Sequence, residues 1–385
     1  MLSTLIVVLM PLFPQQQSPE KILVSQLSLE SYKSTLKSLT KFGDRRQGTE
    51  RNRQAIDWIE QQFLAYGYDN VERMNYSFPD KSNIPRSESQ RLRPWGKEGA
   101  VGGGRRRGLS SPTSVNRDPD AQQNLLLREL NKGPVIGSNR QQIYCTKIGS
   151  TRPHEMYIVA AHMDGIGYGE ACNDDGSGTA LVLELARIFG DPNVVTECSI
   201  RFVLFNNEES GLNGSYAYVD QRYGLQGIED PPGSGKYPEP KWLGMIQHDM
   251  MLFDHGMPLA DGSYPEKQRP EADVNIEFQM RSDFVEQSQK LAWEFQRANE
   301  KYASKYPASV GAHMTNTDSV PFMDKTAAIS LRENERGTQV GNGWNPHWHQ
   351  ASDLFSSYSD DDFNLGLNAA QTTLAAVSRL SGASL

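Results

Sequence analysis

The chain has 385 residues, of which 37% are hydrophobic and 22% are charged. This composition allows a large core and excludes a wholly disordered or collagen-like chain. The formal net charge of −8, from 39 basic and 47 acidic residues, argues against nucleic acid as the main partner.

The first thirteen residues form the one long apolar stretch of the sequence. They are too few to span a bilayer comfortably and are typical of the apolar part of a signal peptide. We therefore expect residues 1–20 to be a signal peptide or an N-terminal anchor, and the protein to be exported to the periplasm, the cell envelope or the medium. A buried N-terminal strand is the alternative. The three cysteines, Cys145, Cys172 and Cys198, are too few for a disulfide framework.

Residues 50–66 predict an amphipathic helix, because apolar residues recur every three or four positions from Ala55 to Phe63 and Thr49 is a suitable N-cap. A strand is predicted at residues 71–78. Residues 81–118 then differ from the rest of the chain, with nine Lys or Arg against three Asp or Glu and almost no apolar periodicity. They are predicted to be a basic surface insertion. A solvated loop is favoured over a binding segment for an anionic partner or membrane surface.

After residue 120 short apolar runs alternate with helical patterns. The runs at residues 156–161, 199–205, 242–247 and 327–331 are typical of buried strands, and residues 177–189 and 363–380 predict helices. This alternation predicts an α/β fold with three layers, in which helices cover both faces of a mostly parallel central sheet. Residues 21–385 are expected to form a single domain, interrupted by the basic insertion.

Acidic residues and histidines follow the ends of the predicted strands. The first strand leads into His162-Met163-Asp164 and the second into Asn206-Asn207-Glu208-Glu209. The third leads into His248-Asp249, and ligands bind beyond the carboxyl ends of strands in such sheets. Two further motifs, Asn173-Asp174-Asp175-Gly176 and His347-Trp348-His349, lie in predicted loops. Clustered carboxylates repel each other unless a cation is present, and imidazoles with carboxylates suit Zn²⁺, with Mn²⁺ or Co²⁺ as alternatives.

The order of these motifs, HxD, DDGSG, NNEESGLNGS, HDM and NPHWHQASD, resembles the co-catalytic zinc exopeptidases, the family that includes bacterial leucyl aminopeptidase, aminopeptidase Y and glutamate carboxypeptidase. The resemblance implies two zinc ions per chain bridged by Asp174. It implies His162 and Asp249 as further ligands of one ion, and Glu209 and His349 as those of the other.

The resemblance also implies catalytic roles. Glu208 would be the general base, and Asp164 would accept the second ring N–H of His162 and so fix its tautomer. His349 is preferred to His347 because the family has an acidic residue four positions after its histidine, where Asp353 stands here. Two positions depart from the family. Trp348 stands where many relatives have a tyrosine that supports the oxyanion, and Cys172 replaces a small residue.

The function implied is a metallopeptidase that removes N-terminal residues from peptides. Three alternatives remain open. A carboxypeptidase or dipeptidase would need a cation for the substrate carboxylate, and Arg332 or Arg336 are candidates. A glutaminyl-cyclase-like acyltransferase would lack the first histidine ligand, so His162 argues against it. A non-catalytic binding domain is disfavoured because every expected ligand is present. Asp318, in a segment that resembles a conserved family motif, is assigned no role.

Overall fold

The computed structural model describes residues 17–78, 115–256, 259–269, 274–312, 314, 317–333 and 345–385. The predicted signal segment, residues 1–16 of it, and the basic insertion up to residue 114 lie outside these residues. No helix in the described part of the chain is both long and apolar enough to cross a membrane.

The described residues form eight helices and one sheet of eight strands. The helices are α1 (Pro19–Val24), α2 (Leu29–Thr40), α3 (Glu50–Ala65), α4 (Leu125–Asn131), α5 (Gly178–Phe189), α6 (Asn213–Arg222), α7 (Val285–Tyr302) and α8 (Asp360–Leu380). The strands are β1 (Glu72–Ser77), β2 (Asn139–Lys147), β3 (Arg152–His162), β4 (Cys198–Phe205), β5 (Lys241–His248), β6 (Val274–Glu277), β7 (Ala308–Gly311) and β8 (Ala328–Arg332).

The strand order in the sheet is β1-β2-β4-β3-β5-β8-β6-β7. The four central strands β4, β3, β5 and β8 are mutually parallel, while β2 and β6 run antiparallel to them on either side. The predicted strands at residues 71–78, 156–161, 199–205, 242–247 and 327–331 are all present, with ends shifted by a few residues. The carboxyl ends of the four central strands therefore lie at one edge of the sheet.

Helices cover the two faces of the sheet unequally. Alternate residues of β3 point to opposite faces, so that Val159 packs into the larger core with α2, α3, α5, α7 and α8, whereas Ile158 packs into a smaller core with α6. The helix predicted at residues 50–66 is α3, and the Thr49 side chain accepts a hydrogen bond from the Asn52 backbone as its cap. The predicted three-layer α/β architecture is confirmed.

Several elements were not predicted from the sequence. Helices α1, α2, α4, α6 and α7 have no counterpart among the predicted segments. Strands β6 and β7 extend the sheet beyond β8, and β2 adds an antiparallel strand beside β4. All three cysteines are buried free thiols, so the described chain has no disulfide.

Candidate metal centre

Six acidic and histidine side chains lie together at the carboxyl edge of the central strands. We call them the metal-centre cluster: His162, Asp174, Glu208, Glu209, Asp249 and His349. His162 is the last residue of β3, Asp249 directly follows β5, and Glu208 and Glu209 lie in the turn after β4. These are the six positions that the resemblance implied as ligands or base. The sheet brings together the four at strand ends, because parallel strands end at the same edge, and loops add Asp174 and His349.

The cluster consists of two groups that meet at Asp174. His162, Glu208 and Asp249 each offer one atom within 4.8 Å of the others, and so do Asp174, Glu209 and His349. Asp174 Oδ1 lies 3.2 Å from His162 Nε2, and Asp174 Oδ2 lies 3.0 Å from His349 Nε2. One carboxylate therefore faces both imidazoles, which is the geometry that a bridging ligand needs.

The loop that carries Asp174 is held by buried carboxylates on both sides. Asp353 accepts hydrogen bonds from the backbone N–H groups of Asn173 (2.9 Å) and Asp174 (3.2 Å). Asp175 accepts from the backbone of His162 (3.1 Å) and of Met250 (3.2 Å). Asp175 thus connects the loop to the ends of β3 and β5. Asp175 was assigned no role from the sequence, although its position next to Asp174 in a loop before a helix was a signal.

Asp164 contacts its neighbours differently from the expected arrangement. The Nδ1 atom of His162 lies 2.9 Å from the backbone carbonyl oxygen of Asp164, whereas the nearest carboxylate oxygen is 3.8 Å away. The carboxylate instead accepts a hydrogen bond of 3.0 Å from the backbone N–H of Glu208. The backbone of Asp164 therefore orients His162, and its side chain orients the turn that carries Glu208. This differs from the prediction that the Asp164 carboxylate accepts the ring N–H of His162. In this short turn the carbonyl oxygen of Asp164 lies nearer to the His162 ring than its carboxylate does.

Of the two candidate histidines after residue 345, His349 enters the cluster. Its Nε2 atom lies 2.9 Å from Glu209 Oε2. His347 turns away, where its Nδ1 contacts Ser352 Oγ at 2.9 Å and its ring packs edge-on against Phe253. The ring of Trp348 lies beside that of His349, with 4.4 Å between their centroids.

The electrostatics of the cluster favour an added cation. Burial raises the pKa of Glu208 well above its usual range; the charge of His162 opposes this rise, and neighbouring carboxylates such as Glu209 add to it. Burial and the adjacent Asp174 raise the pKa of Glu209 to about 7. Burial alone would lower the pKa of His349, yet the carboxylates around it raise that pKa. The four carboxylates are thus crowded beyond what two imidazoles compensate.

A divalent metal fits this site. Glu209 Oε1 is buried and has no hydrogen-bond partner among the described residues. A buried carboxylate oxygen without a partner is costly, and metal coordination would remove that cost. Imidazole nitrogens combined with carboxylate oxygens are a donor set that suits zinc.

Arg332 pairs with a proposed ligand and does not stand free to bind the carboxylate of a carboxypeptidase substrate. It is buried, and its Nη2 atom lies 3.3 Å from Asp249 Oδ2. Burial would raise the pKa of Asp249, but the Arg332 guanidinium brings it below its usual value. Arg336 lies outside the described residues.

Asp318 is fully buried and accepts a hydrogen bond from the Ser215 hydroxyl.

Comparison with known proteins gives one family. Residues 143–372, more than half of the chain, match the model of peptidase family M28. The matched range contains every member of the metal-centre cluster. The resemblance to the zinc exopeptidases drawn from the sequence motifs is confirmed.

Two curated relatives are aminopeptidases by name. Aminopeptidase YwaD of Bacillus subtilis is 42% identical over 66 residues, which are 17% of this chain and 14% of that protein. LpqL of Mycobacterium tuberculosis, described as a probable lipoprotein aminopeptidase, is 34% identical over 114 residues, which are 30% of this chain and 20% of that protein. The matches therefore span less than a quarter of the length of either relative.

A solved structure shares the fold over nearly the whole chain. A zinc aminopeptidase from Bacillus subtilis superposes with a TM-score of 0.61 at 17% identity, covering 92% of this chain and 95% of that one. This likeness shows that the predicted three-layer α/β fold is the fold of that zinc aminopeptidase.

Proposed function

The chain belongs to peptidase family M28, and on that premise we propose that it is a zinc aminopeptidase that removes N-terminal residues from peptides. The observation that carries the proposal is the pair of ligand groups that meet at Asp174. The aminopeptidase names of the curated relatives support the same reaction.

Two zinc ions are proposed for each chain. His162, Asp249 and Asp174 would hold one ion, and Asp174, Glu209 and His349 would hold the other. Three protein ligands for each ion leave a position for water or substrate, as catalytic zinc requires. When bound, zinc supplies Lewis-acid polarisation of the scissile carbonyl and a water of lowered pKa.

Glu208 is proposed as the general base and is not needed as a ligand. Its carboxylate would take a proton from the attacking water and pass it to the leaving amine. Asp164 positions Glu208 by accepting the hydrogen bond from its backbone N–H.

The alternatives have less support. Arg332 lies against Asp249 in the core, so it is not exposed to bind the terminal carboxylate of a carboxypeptidase substrate. The presence of His162 beside Asp174 argues against a cyclase-like site that lacks the first histidine. The intact cluster argues against a binding domain that has lost its ligands.

The test combines metal analysis with substrate choice. We expect about two zinc ions per chain, with hydrolysis of aminoacyl p-nitroanilides and no hydrolysis of their N-acetylated forms, because an acetyl group removes the free amine. Cleavage of N-blocked peptides alone would replace the proposal with a carboxypeptidase. A protein that binds no metal and cleaves neither substrate would refute it.

Export is proposed separately. The apolar start of the sequence supports it, as does the lipoprotein description of one curated relative. Mass spectrometry of the N-terminus of the natively produced protein tests it, since removal or acylation of the first residues is expected. An intact Met1 on a protein confined to the cytoplasm would contradict export.

Residues 21–385 are proposed as a single domain, for which a single cooperative unfolding transition is expected.

A further inference from the structure

A cavity of about 430 Å³ opens beside the metal-centre cluster and shares Glu209 with it. Four chain segments line the cavity: Asp44 with residues 46–47, residues 115–117, residues 166–168 and residues 209–210. Two arginines, Arg46 and Arg117, stand on its wall, and both are exposed to solvent. Arg117 belongs to the last part of the predicted basic insertion, and Arg46 lies in none of the sequence motifs.

The position of Arg46 is fixed by the loop that carries it. The neighbouring Arg45 is fully buried with φ of 50°, and its guanidinium donates to the backbone carbonyl oxygens of Met163 (2.8 Å) and Ala171 (2.8 Å). Met163 follows the ligand His162, and Ala171 begins the loop that carries Asp174. Arg45 therefore fastens the Arg46 loop to the segments that carry two of the proposed ligands.

The position of Arg117 is fixed in the same way. The backbone N–H of the preceding Asn116 donates to the carbonyl oxygen of His349 at 2.9 Å. Its side-chain amide donates to the carbonyl oxygen of Gly167 at 3.0 Å. The segment that carries Arg117 is thus hydrogen-bonded directly to a proposed ligand.

The charge of the cavity wall is positive. Asp44 also lines the cavity, but its carboxylate is held by the buried guanidinium of Arg51 at 2.7 Å. Glu209 is held by His349 at 2.9 Å. In the part of the chain that the structure describes, the guanidinium groups of Arg46 and Arg117 take part in no ion pair or hydrogen bond. Two uncompensated guanidinium groups therefore line a cavity in which one carboxylate, Asp44, is paired with an arginine and the other, Glu209, is a proposed zinc ligand.

We propose that this cavity binds a carboxylate of the peptide substrate through Arg46 and Arg117, and that the enzyme prefers substrates that carry one next to the scissile bond. The inference rests on the proposed peptidase function and adds a substrate class to it. Guanidinium is suited to this task because its fork of N–H donors matches a carboxylate. The carboxylate has two sources, an acidic N-terminal side chain or the free C-terminus of a dipeptide.

Two matched pairs of substrates distinguish the sources. Glutamyl and glutaminyl p-nitroanilide differ only in side-chain charge, and Leu-Leu and its C-terminal amide differ only in the terminal charge. We expect the wild type to prefer the anionic member of at least one pair by about 10-fold or more in kcat/KM, the usual size of a charge-assisted hydrogen bond. That preference should weaken as salt is raised, since both arginines are exposed.

Arg46→Gln/Arg117→Gln should bring the ratio close to unity. A ratio of kcat/KM values does not depend on the fraction of folded enzyme, so a folding defect cannot imitate this result. Arg379→Gln is the matched control, because Arg379 is an exposed arginine at the far end of α8, and it should keep the wild-type ratio.

Loss of the glutamyl preference alone assigns the cavity to an N-terminal side chain, and loss of the free-acid preference alone assigns it to a dipeptide C-terminus. Active enzyme with no preference in either pair, or a preference that survives the double substitution, would overturn the inference and leave the proposed function standing. Failure to cleave all four substrates and a neutral leucyl p-nitroanilide would refute both.

Discussion

Two clusters of buried charge lie on this sheet, and they are balanced differently. The first is the Arg201 cluster, formed by Arg201, Tyr218, Glu239 and Trp242, and its positive and negative charges pair with each other. Arg201 donates to Glu239 and, at 2.8 Å, to the Tyr218 hydroxyl, while Trp242 Nε1 donates to Glu239 at 2.5 Å. Burial would lower the pKa of Arg201, but the Tyr218 and Glu239 oxygens raise it. The charge of this cluster is neutralised by its own members.

The charges of the metal-centre cluster do not cancel in this way. Its four carboxylates face two imidazoles, and Arg332 adds one positive charge at Asp249. The difference shows that buried charge by itself does not mark a functional site. A buried cluster that its own chain neutralises is structural, whereas one that keeps an excess of one sign needs a partner from outside the chain.

Glu208→Gln should have the largest effect and should separate activity from stability. Removal of a general base is expected to lower kcat by about 10²- to 10⁴-fold. The free energy of unfolding should not fall, because a carboxyl group in a crowded acidic cluster is removed. Steady-state kinetics and a urea titration measure these two quantities, and the zinc content of the variant should equal that of the wild type. Wild-type kcat in this variant would show that Glu208 is not the base.

Glu239→Gln should give the reverse pattern. It leaves the buried Arg201 charge without its partner, so we expect the free energy of unfolding to fall by about 3 kcal/mol. Because the Arg201 cluster lies outside the metal centre, kcat per folded molecule should stay at the wild-type value. Arg201→Met/Glu239→Gln is the control, in which part of the stability should return once no unpaired charge remains. Equal loss in the single and double variants would mean that packing, and not charge balance, holds this cluster together.

Removal of metal should destabilise the protein through the metal-centre cluster alone. A ligand present at 100 times its dissociation constant stabilises the folded state by about 2.7 kcal/mol, so chelation should lower Tm and zinc should restore it. Glu239→Gln should show a metal-dependent change of the same size, while Asp174→Asn should show a much smaller one. The same metal response in Asp174→Asn and the wild type would place the metal elsewhere.

A third, smaller cluster should respond to pH. His255 Nδ1 lies 2.5 Å from the Pro265 carbonyl oxygen, and its Nε2 lies 2.7 Å from Asp362 Oδ1. Both partners are acceptors, so both ring nitrogens must carry protons. Burial alone would lower the pKa of His255, but the hydrogen bonds to Asp362 and Pro265 raise it.

A raised histidine pKa contributes stability at low pH that is lost as pH rises. The contribution of His255 should be complete below about pH 6.5 and should disappear as pH rises through the folded-state pKa, at a cost of about 1 kcal/mol. The difference in unfolding free energy between wild type and His255→Gln, followed from pH 5 to 9, measures it. A difference that stays constant across this range would contradict the protonated state.

The sequence predicted the parts of the fold that depend on local pattern. The four central strands were predicted because buried parallel strands are continuous apolar runs, as in residues 199–205. Strands β6 and β7 were missed because each has only four residues, too few to show an alternation of apolar and polar residues. Strand β2 was missed because it buries polar side chains such as Gln142, whose partners come from distant segments.

The order of residues in the sequence showed that acidic and histidine side chains follow three strands, and the parallel arrangement of those strands brings them to one edge. The six members of the metal-centre cluster were implied by the resemblance of the sequence motifs to the zinc exopeptidases. The same resemblance, through Asp353, implied the preference for His349 over His347.

Only the tertiary structure decided the contacts between segments that are far apart in the chain. It placed Asp353 on the backbone of the Asp174 loop, Arg332 against Asp249, and Arg46 and Arg117 on one cavity wall. Such contacts depend on how loops from different strands and helices pack against each other. A side chain in an irregular loop has no periodicity that fixes its direction, so its partner becomes known only when the fold brings the two segments together.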